Sequence, residues 1–135
     1  AFTPHQAIYA MSWSDHKKKP LNGSTRYVLH LQSMPPTNEG WSLTVYDLKG
    51  AMIPNSINLY AFTDTSQFAS NPDGSVDFYL QADKPSNPAQ EKNWLPTASG
   101  QGFEVIWRFF APQPDKISSM LDGSGWQPPA IQPAQ

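Results

Sequence analysis

The chain has no cysteine, no long apolar run and no strong charge of either sign. The absence of cysteine excludes thiol catalysis, zinc sites with cysteine ligands and disulfide frameworks. The net charge is −2, from 9 basic and 11 acidic residues, so the composition provides no basic surface for nucleic acid. No stretch approaches the roughly 18 apolar residues of a membrane span. The 135 residues are therefore expected to form a single domain over 1–135.

The N-terminal region lacks a charged segment followed by an apolar one, so no signal peptide is expected within this sequence. The sequence starts at Ala1, as a processed exported protein would, and export is favoured over a cytoplasmic location. Asn22-Gly23-Ser24 is a glycosylation sequon that would be accessible in a secreted protein.

Fourteen prolines and eight glycines leave little room for helices, and the segments between them alternate between apolar and polar residues. This period of two predicts strands over 25–32, 41–48, 57–62, 76–81 and 103–110. The last of these carries large apolar residues on both faces, which predicts a central strand covered on both sides.

The expected fold is all-β: an antiparallel, jelly-roll-like β-sandwich with one or two short helices at its periphery. The helical candidates are residues 4–12 and 114–121. The last ten residues contain three prolines and are expected to lie extended over the surface.

The residues that usually carry catalysis form no recognisable motif. The three histidines, His5, His16 and His30, show no metal-binding spacing, and His30 is interpreted as a hydrogen-bonded residue of a strand. No serine lies in a nucleophile motif, so no catalytic residue, metal or cofactor is predicted. A glycosidase pair of carboxylates stays open, because the sequence gives no distance between any two of them.

Five tryptophans suggest either a platform for sugar rings or structural packing. Trp41 and Trp107 are in phase with apolar neighbours and are expected in the core. Trp13, Trp94 and Trp126 lie in loops or near the termini, and structural clasping is favoured for them. In particular, Trp94 is expected to plug one end of the sandwich.

Several motifs then occur in a recognisable order: AIYAMSWSDHKKKPLNGSTRYVLHL, GWSLTVYDLKGAMIPNSINLYAF, NPDGSVDFYLQ, NWLP, RFFAP and WQPPAI. Together they resemble the domain-of-unknown-function family 1214 over about residues 7–132. The resemblance implies an all-β, jelly-roll-like sandwich without an established biochemical function. It also implies a frequent position after a second domain, of the domain-of-unknown-function family 1254. Gly40-Trp41-Ser42 departs from the Phe-Trp-Ser that is typical of the family.

Two functions are compatible with these observations. The first is a non-catalytic interaction or assembly module that binds a second copy of itself, or a second protein chain or domain. The alternative is a ligand-binding or hydrolytic domain for a carbohydrate or a small anionic ligand, with its site at one end of the sandwich. In that alternative, Arg108 would bind a carboxylate or phosphate through two hydrogen bonds. The candidate binding residues are Asn55, Asn58, Tyr60, Asn93, Trp94 and Arg108.

Overall fold

A computed structural model describes residues 7–134, which form two four-stranded sheets that share one hydrophobic core. In chain order, the elements are β1 (Ala7–Ser12), β2 (Tyr27–Leu31), β3 (Trp41–Asp47), β4 (Ala61–Thr63), β5 (Val76–Gln81), α1 (Pro88–Glu91), β6 (Trp94–Pro96), β7 (Phe103–Phe110), α2 (Ile117–Asp122) and β8 (Ile131–Pro133). The expected all-β sandwich with two short helices is confirmed.

The first sheet has the strand order β1-β7-β3-β4, and the second has the order β6-β5-β2-β8. All neighbouring strands are antiparallel except β5 and β6, which run parallel. Strand β7 therefore lies inside the first sheet, between β1 and β3, and β2 lies inside the second sheet, between β5 and β8. These two positions determine which side chains reach the outer surfaces of the sandwich.

The core is filled by the inward-facing residues of both sheets, as the period of two predicts for β2, β3, β5 and β7. Leu29, Leu43 and Phe78 are fully buried. The ring of Trp41 lies 5.5 Å from that of Trp107 in its own sheet and 6.4 Å from that of Phe78 in the other, measured between centroids. Burying a large apolar side chain of this kind contributes about 1.5–3 kcal/mol, so these contacts hold the two sheets together.

Residues 7–12 form strand β1, so the helix expected over residues 4–12 is wrong in its described part. The partly buried Ile8 and Ala10 pack against the core, whereas Tyr9 and Met11 are exposed. The segment pairs with β7 along its whole length, and this pairing overrides its local helical propensity. Residues 1–6, with His5, lie outside the described part of the chain.

Three other expectations need correction. The strand expected over 57–62 is reduced to β4, because the chain turns at Asn58, whose φ of 53° is left-handed. Strand β7 is central, but its outer face is covered only in part: Glu104 is buried, Ile106 and Arg108 are half-buried, and Phe110 is 37% exposed. The C-terminal segment does not merely lie on the surface: Ile131 is buried in strand β8, which pairs with β2.

Two aspartates accept backbone hydrogen bonds in turns of the chain. The Asp47 carboxylate accepts hydrogen bonds of 2.9 Å from the backbone amides of Lys49 and Ala51. Asp73 likewise accepts from the backbone amide of Ser75, at 3.0 Å. Each aspartate therefore stabilises a tight turn through backbone hydrogen bonds.

Gly23 lies where two loops approach each other closely, and a substitution at this position tests that close approach. Its amide donates to the Gln101 carbonyl at 2.9 Å, and a Cβ at this position would lie 1.9 Å from the Ala98 carbonyl oxygen. We expect Gly23→Ala to lower the free energy of unfolding by about 1–3 kcal/mol, because the clash is with backbone. Urea denaturation measures this change.

Gly50→Ala is the matched control, since a Cβ there meets no atom within 4 Å although φ is +83°. Its cost is confined to the left-handed backbone, at about 1–2 kcal/mol. An unfolding free energy for Gly23→Ala equal to that of the parent would contradict the close approach of the two loops.

Candidate functional site

The six candidate residues from the sequence lie in three different parts of the fold. One group belongs to the loop between β3 and β4, a second lies at the start of β6, and the last is on the outer face of the first sheet. Within residues 7–134, no hydrogen bond or ring contact joins one group to another. The loop group is Asn55, Asn58 and Tyr60, the group at β6 is Asn93 and Trp94, and the residue on the outer face is Arg108.

Asn55 organises the loop between β3 and β4. Its side-chain amide donates to the carbonyls of Ile53 and Leu59, at 3.2 and 2.8 Å, and its oxygen accepts from the Leu59 amide at 3.1 Å. The Tyr60 hydroxyl reaches the Asn58 side-chain oxygen at 3.5 Å. The side chain of Asn55 is therefore used to close the loop.

Asn93 and Trp94 fasten the edge of the second sheet. Asn93 is buried, accepts from the Ala69 amide at 2.7 Å, and donates to the carbonyls of Ala69 and Asp77, both at 2.8 Å. The Trp94 indole is 5% exposed and donates to the Gln81 carbonyl at 2.8 Å. Both side chains satisfy buried backbone groups, which is the geometry of a structural clasp.

Arg108 lies on the outer face of the first sheet, between two aromatic rings. Its guanidinium carbon is 5.6 Å from the centroid of Tyr9 and 5.5 Å from that of Tyr46. Both distances are within the range of cation–π attraction. The ion pairs found among the described residues involve other cations, so the rings and not a carboxylate hold this guanidinium.

The strand register gives Arg108 an aromatic neighbour on one side and a polar one on the other: it pairs with Tyr9 of β1 and with Ser42 of β3. We define the apolar face as the outward side chains of Tyr9, Met11, Tyr46, Ile106, Arg108 and Phe110. Tyr9 is 63% and Met11 46% exposed. The contribution of β1 was not expected, because a helix was predicted over residues 4–12. The alternation of Ile8 and Ala10 with Tyr9 and Met11 is only a weak signal for a strand, since both sets are apolar or aromatic.

A second polar cluster lies on the outer face of the second sheet. His30 Nδ1 is 2.6 Å from Asp77 Oδ1, and His30 Nε2 is 3.0 Å from Gln32 Oε1. Asn71 donates to the other oxygen of Asp77 at 3.2 Å. Because both ring nitrogens face oxygen acceptors, the charged imidazolium is favoured, and the hydrogen bond to Asp77 is the main cause that raises the pKa of His30. The predicted hydrogen-bonded strand histidine is confirmed.

Two further properties concern the described residues alone. Among residues 7–134, no group of three or more histidine or acidic side chains is arranged to hold a metal ion. Neither helix in this part of the chain is long and apolar enough to cross a membrane.

The clasp geometry of Trp94 leads to a prediction about stability. We expect Trp94→Ala to lower the free energy of unfolding by about 3–5 kcal/mol, because the change removes a buried indole and leaves a cavity. Trp94→Phe is the matched variant: it retains a ring but removes the indole donor, while the Thr97 amide still donates to the Gln81 carbonyl at 3.1 Å, so the cost is about 0.5–1.5 kcal/mol. Chemical denaturation of the three proteins gives both values, and a Trp94→Ala protein as stable as the parent would refute the clasp.

The His30–Asp77 pair predicts a pH dependence of stability. The pKa of folded His30 is raised above its ordinary value of 6.5, so the stabilisation is fully present below that pH. It is lost as the pH rises through the folded pKa. The histidine side chain is 48% exposed, and solvent screening limits the change to at most about 1 kcal/mol.

The free energies of unfolding of the parent and of His30→Gln are measured at several pH values from weakly acidic to weakly alkaline. The quantity of interest is the parent value minus the His30→Gln value at each pH. This difference should fall as pH rises, since glutamine does not titrate. Asp77→Asn, which removes the carboxylate at nearly constant size, should suppress the same dependence. A difference that stays constant or rises with pH would contradict the assignment.

Comparison with known proteins places this geometry in a family. The chain is 28% identical to the VPA0106 protein of Vibrio parahaemolyticus, with a TM-score of 0.80 over 98% of this chain and 31% of that one. An uncharacterised protein from Burkholderia cenocepacia shares the fold, with 18% identity and a TM-score of 0.60 over 95% of this chain and 29% of that one. The chain thus spans less than a third of each solved relative.

No curated protein matches the chain. The family model described as protein of unknown function, DUF1214, matches residues 6–114. No biochemical function is established for this family. The chain belongs to the DUF1214 family.

Proposed function

We propose that the chain is a non-catalytic assembly module that binds a second protein domain through its apolar face. The observation that carries this proposal is the exposure of large apolar side chains around Arg108 on one sheet surface. Monomeric soluble proteins rarely expose large contiguous apolar surfaces, and such surfaces commonly mark binding sites for other proteins.

The side chains of the apolar face have the chemistry of a protein interface. Tyrosine, methionine and arginine are enriched in the centres of such interfaces, where they combine apolar area with a polar group. Covering Tyr9, Met11 and Phe110 would remove apolar surface from water, at about 25 cal/mol for each Å². A covered face would also restore the two-sided burial that the sequence of β7 predicts.

Arg108 would orient a partner on the apolar face. The rings of Tyr9 and Tyr46 hold its guanidinium in place, which lowers the entropy lost when a partner binds. A carboxylate on the partner would accept two parallel hydrogen bonds from this group. The favoured partner surface is therefore apolar with at least one acidic side chain.

A second domain is the favoured occupant of the apolar face. Because the chain spans less than a third of either solved relative, those proteins contain additional polypeptide that is available to cover such a face. The resemblance to the family likewise implies a frequent neighbouring domain. Strand β1, at the edge of the first sheet, also offers backbone groups to which a partner strand can add.

Site-specific photo-crosslinking in the native host tests this proposal. A benzophenone amino acid replaces Met11, an outward residue of the edge strand β1 that is 46% exposed. We expect one discrete adduct whose cross-linked peptide belongs to another domain, either of the same polypeptide or of a second protein. The matched control is the same replacement at Gln132, an exposed strand residue of the second sheet, which should give no adduct.

A second variant tests whether formation of the adduct depends on the apolar face. Arg108→Ala should reduce the yield of the Met11 adduct at least about fivefold, which corresponds to about 1 kcal/mol of binding energy. An adduct between two copies of this chain would replace the proposed partner by self-assembly. The absence of any adduct from Met11 would overturn the proposal.

A further inference from the structure

A groove crosses the outer face of the second sheet, on the opposite side of the sandwich from the apolar face. It consists of two adjoining cavities of about 450 and 480 Å³, which share Val28 and Ala134 in their linings. Tyr79 lies in the lining of one cavity and Gln132 in that of the other. Because Val28 is paired with both residues, one row of outward side chains runs across β5, β2 and β8. This row is about 10 Å long at the usual spacing of strands.

The walls of the groove are held in place by the fold. The Gln81 side-chain amide donates to the Asp83 carbonyl at 2.9 Å, which positions the segment that leads into α1. On the other side, the Ala134 amide donates to the Arg26 carbonyl at 2.7 Å. The Arg26 and Asp83 side chains form an ion pair. A ligand therefore meets a largely preformed site, which lowers the cost of binding.

The ionic groups in and around the groove neutralise one another. Asp77, Arg26, Asp83 and Lys84 line the first cavity, and His30 lines the second. Each belongs to an ion pair: His30–Asp77, Arg26–Asp83 or Lys84–Glu91. A charged ligand would have to separate one of these pairs. A ligand with many hydroxyl groups can instead use the donors and acceptors that the pairs leave available.

The groove also contains an apolar strip suited to one face of a sugar ring. Tyr79 and Val28 are half-buried and directly opposite each other in the strand register. Their side chains can cover the C–H groups of a pyranose ring, while the Gln132 amide and the paired charged groups meet its hydroxyls. Burial and the nearby Asp77 raise the pKa of Tyr79, so its hydroxyl remains a hydrogen-bond donor at neutral pH.

We infer that this groove binds a neutral oligosaccharide, with Tyr79 and Val28 against the ring faces and the paired polar side chains against the hydroxyls. The site is independent of the proposed assembly function, because the two use opposite outer faces of the sandwich. It also differs from the sugar platform that the tryptophans suggested, since no tryptophan of residues 7–134 lines either cavity of the groove.

Titration of the ¹⁵N-labelled chain by NMR tests the inference. The probes are neutral hexasaccharides of β-1,4-glucose, β-1,3-glucose, α-1,4-glucose, β-1,4-xylose and β-1,4-N-acetylglucosamine. We expect at least one of them to cause saturable chemical-shift changes centred on Val28, Tyr79 and Gln132. Its affinity should change little with salt, since no ion pair has to form or break.

Two tyrosine variants provide matched evidence. Tyr79→Ala should weaken binding at least about tenfold, a loss of about 1.4 kcal/mol. Tyr46→Ala, an equivalent change on the apolar face, should leave the affinity unchanged. If Tyr79→Ala does not fold, Gln132→Ala serves instead, since its side chain is exposed on the edge strand β8, and it should weaken binding of the same hexasaccharide.

Other results would overturn the inference. An absence of saturable shifts with all five neutral probes would leave the groove without the proposed ligand. Binding of a charged hexasaccharide of galacturonic acid, with strong dependence on salt and without binding of the neutral probes, would assign an anion site instead. Binding that survives both Tyr79→Ala and Gln132→Ala would place the sugar elsewhere on the molecule.

Discussion

The contact of Trp41 with Trp107 and Phe78 is the interaction on which the rest of the structure depends. It joins the two sheets through β3, β7 and β5, and it requires these three residues to face inward. Since side chains alternate along a strand, their neighbours must then face outward. Arg108 and Tyr79, each one position from a core aromatic ring, are thereby directed to opposite surfaces of the sandwich.

Much of this framework could be predicted from the sequence, because alternation is a local signal. The inward sets of β2, β3, β5 and β7 follow directly from it. Strand β1 could not be recognised in the same way. Its inward residues Ile8 and Ala10 contrast weakly with the outward Tyr9 and Met11, and its partner lies about 100 residues further along the chain. Local propensity carries no information about such a distant pairing.

The candidate binding residues differ in the same respect, since some of their contacts are local in the sequence and others depend on strand pairing. Asn55 is held by backbone groups within four residues of it. By contrast, the contact of Arg108 with Tyr9 and that of His30 with Asp77 depend on strand register across the sheets. A polar residue that is out of phase with the apolar residues of its strand therefore indicates a surface position, but the residues it contacts there are determined by the tertiary fold.

The charged groups of the two outer faces of the sandwich lie in different surroundings. On the apolar face, aromatic rings hold one guanidinium without neutralising it, so a carboxylate from outside gains by approaching it. On the opposite face, His30, Arg26 and Lys84 each have an acidic partner, so an external ion gains little. An arrangement of this kind suits protein assembly on one side and a neutral ligand on the other. Because the core lies between them, occupation of one face leaves the other free.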